Sequence, residues 1–159
     1  MFRFNLQRIT LLATVVFVSS FMLFPESPLQ SSFYSTVYAA SIICESGLFC
    51  NGTNGDDNMM GTETADEIVG LDGDDRISGG SSGDELRAGN GNDILSGGSG
   101  NDDIFGDSGN DKLSGGSGDD EFTGGAGADT FKCGSGDNDQ INDFNEGEGD
   151  TKSNDCEIF

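Results

Sequence analysis

The stretch that decides the fold runs from residue 52 to residue 132 and divides without a gap into nine nonapeptides: GTNGDDNMM (52–60), GTETADEIV (61–69), GLDGDDRIS (70–78), GGSSGDELR (79–87), AGNGNDILS (88–96), GGSGNDDIF (97–105), GDSGNDKLS (106–114), GGSGDDEFT (115–123) and GGAGADTFK (124–132). Position six is always aspartate: Asp57, Asp66, Asp75, Asp84, Asp93, Asp102, Asp111, Asp120 and Asp129. Position eight is always apolar: Met59, Ile68, Ile77, Leu86, Leu95, Ile104, Leu113, Phe122 and Phe131. A disordered Gly/Asp-rich tail would share this composition but would not keep two positions in phase, so the stretch predicts a repeat structure.

Glycine fills most of the other regular positions. Position one is Gly except at Ala88, and position four is Gly except at Thr64 and Ser82. We expect glycines at positions one, two and four to allow positive φ and close backbone approach, which lets carbonyl oxygens converge. Calcium takes about six to eight oxygen ligands, which carboxylates and carbonyls supply. Each repeat therefore predicts a six-residue turn that binds calcium and a three-residue strand whose position eight points inward.

The candidate calcium ligands fall at three positions of the repeat. The carboxylate candidates are the nine aspartates at position six. The carbonyl candidates are glycines at position four: Gly55, Gly73, Gly91, Gly100, Gly109 and Gly118. Position five adds Asn92, Asn101, Asn110 and Asp119. For position five, turn formation is an equal alternative, because Asn and Asp tolerate the left-handed conformation.

These residues resemble the RTX, or hemolysin-type, calcium-binding repeat, G-G-x-G-x-D-x-U-x with U apolar. The resemblance covers about half of the chain and implies an all-β fold, a calcium-bound parallel β-roll, which is a right-handed β-helix of tandem nonapeptides. It also implies that two repeats form one coil and that each ion lies between turns two repeats apart. Nine repeats then give about four and a half coils, roughly 20 Å at about 4.8 Å per coil.

Such a roll has two edges, and the sequence predicts that they bind calcium unequally. Repeats one, three, five, seven and nine lie on one edge and all keep Gly at position four. On the other edge, the first two turns have Thr64 and Ser82 at position four. A β-branched residue such as threonine fits positive φ poorly. We expect a weak or empty site between Asp66 and Asp84. We expect filled sites joining Asp57 to Asp75, Asp75 to Asp93, Asp93 to Asp111 and Asp102 to Asp120.

Charge and composition restrict the function. The 159 residues include 29 acidic and seven basic side chains, a net charge of -22, so the chain repels nucleic acid and anionic membranes and attracts cations. Histidine is absent, which excludes a Ser–His or Cys–His nucleophile pair. With one inward apolar side chain per nonapeptide and stacked carboxylates, we expect folding to require calcium.

The expected function is that of a non-enzymatic calcium-binding protein, such as a surface or matrix component. Residues 40–51 and 142–159 are too short for a catalytic domain. The alternative is an adhesin or carbohydrate-binding extracellular module with a protein or polysaccharide partner. That alternative needs exposed aromatic side chains on one face, where Phe105 at position nine is nearly alone.

The N-terminus reads as an export signal peptide at residues 1–39. Arg3 and Arg8 accompany a mostly apolar run over residues 9–24, and Val37-Tyr38-Ala39 resembles a small-residue cleavage site. The apolar run is shorter than the roughly 20 residues of a membrane span, although an uncleaved anchor is the alternative. We expect a secreted or cell-surface protein with no membrane span after cleavage.

Four cysteines flank the array. In an exported chain they indicate two disulfides, with three possible connectivities. Because Cys50 and Cys133 would lie roughly 20 Å apart along the roll, and a disulfide needs Cα atoms within about 7 Å, we expect the local pairs Cys44–Cys50 and Cys133–Cys156.

The two ends of the array predict caps. Residues 40–51 predict an N-terminal cap, and residues 133–159 predict a degenerate tenth repeat with one inserted residue, followed by a C-terminal cap. We expect Ile141 and Phe144 to cover the open coil. Calcium ligation by Asp143 or Asp150 is an open alternative to a purely structural role.

Overall fold

A computed structural model describes residues 41–45 and 49–158, so the predicted signal peptide and its cleavage site lie outside the described residues. The described residues belong to one structural unit and form fourteen strands: β1 (Ser41–Ile43), β2 (Phe49–Asn51), β3 (Asn58–Met60), β4 (Glu67–Asp72), β5 (Arg76–Ser81), β6 (Glu85–Asn90), β7 (Ile94–Ser99), β8 (Asp103–Ser108), β9 (Lys112–Ser117), β10 (Glu121–Thr123), β11 (Thr130–Ser135), β12 (Gln140–Ile141), β13 (Thr151–Lys152) and β14 (Glu157–Ile158). No helix occurs in this part of the chain, and hence none that could cross a bilayer.

The strands alternate between two parallel sheets of seven strands. One sheet has the order β1-β3-β5-β7-β9-β11-β13, and the other has the order β14-β12-β10-β8-β6-β4-β2. Residue n pairs with residue n+18, as Ile77 does with Leu95 and Leu95 with Leu113. Two nonapeptides therefore make one coil, and the predicted all-β parallel roll is confirmed.

The turns that join the sheets form two edges. We call the turns of repeats one, three, five, seven and nine the odd edge, and those of repeats two, four, six and eight the even edge. The strands of the repeats are longer than the sequence predicted, since seven of these nine strands, β4 to β9 and β11, contain six residues. The expected division into six turn and three strand residues is wrong, because pairing continues past position two, where Gly80 is in register with Gly98. The turn proper is reduced to positions four to six.

Position eight forms the core as predicted. All nine of its side chains are buried, with exposed fractions between 0% and 3%. The four cysteines, Ala88 and Ile141 join the same cluster. At the C-terminal end, Phe122 packs edge-on against Phe131, with ring centroids 6.2 Å apart.

The segments predicted as caps extend both sheets. The disulfides Cys44–Cys50 and Cys133–Cys156 confirm the predicted local pairing. At the C-terminal end Ile141 is buried as expected, and the Phe144 ring lies 6.2 Å from that of Phe131. Because the flanking segments contribute β1, β2 and β12–β14, each sheet has seven strands rather than the four or five that nine repeats supply.

Candidate metal centre

The aspartates at position six form a hydrogen-bond ladder along each edge, here called the inner ladder. Each is buried, with an exposed fraction of at most 5%. From repeat three onward, one carboxylate oxygen, Oδ1, accepts the backbone N–H of the position-six aspartate eighteen residues earlier. On the odd edge, Asp75 Oδ1 accepts from Asp57 at 2.7 Å, and Asp93 accepts from Asp75 at 2.6 Å. On the even edge, Asp102 accepts from Asp84 at 2.8 Å.

Two further aspartates continue the inner ladder: Asp139, which the sequence did not mark as a ligand, and Asp150, for which ligation was an open alternative. Asp139 Oδ1 accepts the N–H of Asp120 at 2.9 Å, and Asp150 Oδ1 accepts that of Asp129 at 2.9 Å. Their offsets are 19 and 21 residues instead of 18, because the chain carries inserted residues after position 132. The position of Asp139 in the ladder could have been found from the sequence by allowing for the single inserted residue in the tenth repeat. The carboxylate of Asp143 accepts the N–H groups of Gly124 and Gly125 instead, and calcium ligation by Asp143 or Asp150 stays a prediction.

The second carboxylate oxygen of the inner ladder is the feature that points to a cation. In repeats three to nine this oxygen, Oδ2, is buried and has no hydrogen-bond partner: Asp75, Asp84, Asp93, Asp102, Asp111, Asp120 and Asp129. Asp66 also has an unpartnered oxygen, its Oδ1. A buried acceptor without a partner is strongly unfavourable, so these oxygens fit a bound cation.

The glycine at position one makes room for that carboxylate. A Cβ built on Gly70 would overlap with Asp75 Oδ2, and one on Gly115 would overlap with Asp120 Oδ2. Of the two reasons expected for glycine, positive φ and close approach, position one shows close approach and does not have positive φ. Positive φ does occur at positions two and four in repeats three to nine.

The backbone at position four places a carbonyl oxygen of one coil against the turn of the next coil. Gly73, Gly91, Gly100, Gly109 and Gly118 have φ between 122° and 146°, whereas Gly55 does not have positive φ. The carbonyl oxygen of one coil lies where the Cβ of the next would stand, as Gly73 O does beneath Gly91. The described residues hold no group of three or more His, Cys, Asp or Glu side chains that could bind a metal ion, so carbonyls are needed to complete a calcium shell.

Position five forms a second, outer ladder on the exposed side of the turns. Asn92 Oδ1 accepts the N–H of Asn110 at 3.1 Å, and Asn110 Oδ1 accepts that of Ala128 at 2.9 Å. On the even edge, Asn101 Oδ1 accepts the N–H of Asp119 at 3.1 Å. Of the two roles expected for position five, this arrangement favours shaping the turn, and ligation by Asn92, Asn101, Asn110 and Asp119 stays a prediction.

Burial raises the pKa of the inner-ladder carboxyls in repeats three to nine and so makes them hard to ionise. It raises the pKa of Asp102 and Asp111 to about 7, and that of Asp75 and Asp120 to about 6. The donated backbone N–H acts in the opposite direction, and the charges of neighbouring acids raise the pKa further. A bound cation would favour the ionised form and so offset the cost of burial.

Comparison with known protein families agrees with this geometry. The family model of the RTX calcium-binding nonapeptide repeat matches four overlapping segments, residues 51–86, 78–113, 97–131 and 105–141, which together span more than half of the chain. No curated protein and no solved structure matches the chain.

Proposed function

Because the chain belongs to the RTX calcium-binding nonapeptide repeat family, we propose that it is an exported, non-enzymatic protein that folds when its turns bind several calcium ions. The observation that supports this most directly is the set of buried carboxylate oxygens without a partner in repeats three to nine. Calcium supplies positive charge to these oxygens and relieves the repulsion between successive aspartates. The carbonyl oxygens at position four supply further ligands.

The chemistry of the ligands favours calcium over other divalent ions. All candidate ligands are oxygens, which suit calcium, and the turns lack the thiolate and imidazole ligands that zinc prefers. Magnesium requires nearly ideal octahedral geometry and loses its water reluctantly. A gap between two turns that offers carbonyls from fixed backbone suits the larger and more adaptable calcium shell.

The proposal includes export and the division of the chain. Residues 1–39 are proposed as a cleaved signal peptide, residues 40–51 as an N-terminal cap, residues 52–132 as the repeats, and residues 133–159 as a tenth repeat with a C-terminal cap. Two disulfides fit an oxidising compartment outside the cytosol. N-terminal sequencing of protein collected outside the cell tests this. A mature chain that begins at Ala40 is expected, and an intact Met1 in the exported protein contradicts cleavage.

A role as a surface or matrix component fits a rigid, charged, calcium-dependent module better than carbohydrate binding does. Phe105, the aromatic side chain that could support sugar stacking, lies under the Arg87 guanidinium, which is 4.5 Å from its ring centroid. Phe49 is more exposed, at 55%, but it stands beside Glu67 rather than in a row of aromatic side chains. The adhesin alternative therefore has less support.

Calcium-driven folding is tested on the oxidised chain that starts at Ala40. Both tyrosines lie before residue 40 and tryptophan is absent, so far-UV circular dichroism and size-exclusion chromatography are the suitable measurements. We expect a coil-like, expanded chain after removal of calcium on a chelating resin, and a compact β-rich chain in calcium but not in magnesium. A calcium-free chain that is already compact and β-rich would overturn the proposal.

A further inference from the structure

The first turn on each edge differs from the other turns of the array. In repeats three to nine, positions two and four all have positive φ, including the non-glycine residues Leu71, Ser82 and Asp107. In repeats one and two, none of these positions has positive φ. The two initial turns therefore adopt a different backbone path although they contain the same position-six aspartate.

A threonine at position two is common to both initial turns. The backbone N–H of Thr53 donates to Asp57 Oδ2 at 2.6 Å, and its hydroxyl donates to the same oxygen at 3.0 Å. Thr62 does the same for Asp66 Oδ2, at 2.6 Å and 2.9 Å. In repeats three to nine this oxygen has no partner. In repeats one and two, the threonine therefore supplies the hydrogen bonds that Oδ2 lacks in the other repeats.

Other residues of the turn do not account for the difference. Repeat one keeps Gly55 at position four and still lacks positive φ, whereas Ser82 reaches a φ of 77° without being glycine. A side chain at position two is not sufficient either, since Leu71 and Asp107 have φ of 92° and 67°. Threonine is distinguished by β-branching, which disfavours positive φ, and by a hydroxyl that can bond to a nearby carboxylate.

One buried carboxylate oxygen in these two turns still has no hydrogen-bond partner, for a different reason. Asp66 Oδ1 is unpartnered, and in the inner ladder this is the oxygen that accepts an N–H from eighteen residues earlier. For Asp66 that donor would belong to position 48, which lies outside the described residues. The Oδ2 atom, which has no partner in repeats three to nine, accepts two hydrogen bonds in Asp66.

We propose that Thr53 and Thr62 are hydroxyl latches that satisfy Asp57 and Asp66 in place of calcium, so that the first turn on each edge carries no ion of its own. The inference rests on the proposed calcium-dependent function. It extends the expected weakness of the Asp66–Asp84 site to the start of the odd edge, and so replaces the sequence-based expectation of a filled site between Asp57 and Asp75. The Oδ2 atoms at the N-terminal end of the roll are then satisfied without metal.

The experiment counts calcium ions per folded chain by native mass spectrometry of the oxidised protein. The double variant Thr53→Gly/Thr62→Gly should bind more calcium than the wild type, by about one ion for each latch removed. The matched control Thr62→Ser keeps the hydroxyl and the N–H and should leave the count unchanged. An unchanged count in a folded double variant overturns the latch.

The reverse substitution keeps the test decisive if the double variant fails to fold. Leu71 already carries a side chain at position two with positive φ, so Leu71→Thr introduces a latch without filling a glycine position. It should lower the count by about one ion, whereas the control Leu71→Ala should not. A folded Leu71→Thr chain with the wild-type count contradicts the inference. A wild-type chain that binds no calcium overturns the proposed function instead, so the two failures are distinguishable.

Discussion

The odd and even edges share the inner ladder but differ in the outer one. On the odd edge the outer ladder is continuous, because Asp56, Asp74, Asn92 and Asn110 each accept an N–H from the next coil. The even edge begins with two residues, Ala65 and Gly83, that have no acceptor in their side chains. The aspartate at position six therefore recurs in every coil, whereas position five provides local support that the even edge lacks in its first two turns and has from Asn101 onward.

The start of the even edge is open where that support is missing. A cleft of about 430 Å³ lies there, lined by Ala65, Asp66, Gly83 and Asp84 among others. The predicted steric problem at Ser82 is resolved within the turn, since Ser82 adopts positive φ and its hydroxyl donates to the Glu63 carbonyl at 3.0 Å. Thr64 does not adopt positive φ, so the two exceptions at position four behave differently. The predicted weakness of the Asp66–Asp84 site itself stays a prediction.

The largest effect is expected from removing one inner carboxylate on each edge. Asp111→Asn on the odd edge and Asp102→Asn on the even edge keep Oδ1 for the ladder but remove a buried negative charge. Each should raise the calcium concentration needed for folding at least about tenfold, equivalent to ~1.4 kcal/mol. Calcium titration followed by circular dichroism measures this.

A matched variant tests whether position along an edge matters. Asp66→Asn alters a carboxylate whose Oδ2 already has two hydrogen bonds, so its effect should be smaller than that of Asp102→Asn on the same edge. Equal effects at the two central positions support the equivalence of the edges. If Asp102→Asn or Asp111→Asn folded at the same calcium concentration as the wild type, the edge that carries this substitution would not depend on the ion.

The second effect is the pH dependence of the calcium-free chain. Since burial raises the pKa of Asp102 and Asp111 to about 7, the roll binds more protons than the unfolded chain between about pH 4 and pH 7. Its stability therefore falls as pH rises through this range. We expect lowering the pH to about 5 to increase the β signal without calcium and to weaken calcium binding by competition.

This pH prediction should not distinguish the edges. Each edge holds one carboxyl with a pKa of about 7 and one of about 6, on the odd edge Asp111 and Asp75 and on the even edge Asp102 and Asp120. Circular dichroism from pH 4 to pH 7, after metal removal on a resin, is the measurement. A calcium-free chain whose spectrum and compactness are constant over this range contradicts the prediction.

The smallest effect concerns the outer ladder. Ala65→Asn should add an acceptor for the N–H of Gly83 on the even edge and stabilise the calcium-bound roll by about 0.5–1.5 kcal/mol. Asn110→Ala should destabilise the odd edge by a similar amount, because it removes the acceptor for Ala128. Urea unfolding in saturating calcium measures both. A loss of stability in Ala65→Asn would indicate that the outer ladder does not explain the difference between the edges.

The sequence determined much of the molecule. The nine-residue spacing of apolar residues predicted the buried position eight, and the resemblance of the repeats to the RTX family implied the parallel roll. The disulfide pairing also followed, because the length of the array separates its ends by more than a disulfide can span. These properties depend on spacing along the chain, and spacing is visible in the sequence.

Contacts between coils were decided only by the tertiary structure. The space at Gly70 that Asp75 Oδ2 needs and the continuation of the inner ladder by Asp139 and Asp150 depend on which atoms meet across neighbouring turns. The latch at Thr53 depends on a backbone conformation that the repeat consensus does not specify. A periodic sequence determines where each residue lies along the coil, but the partner of each polar atom is set by local φ and by inserted residues, which displace atoms without altering the period.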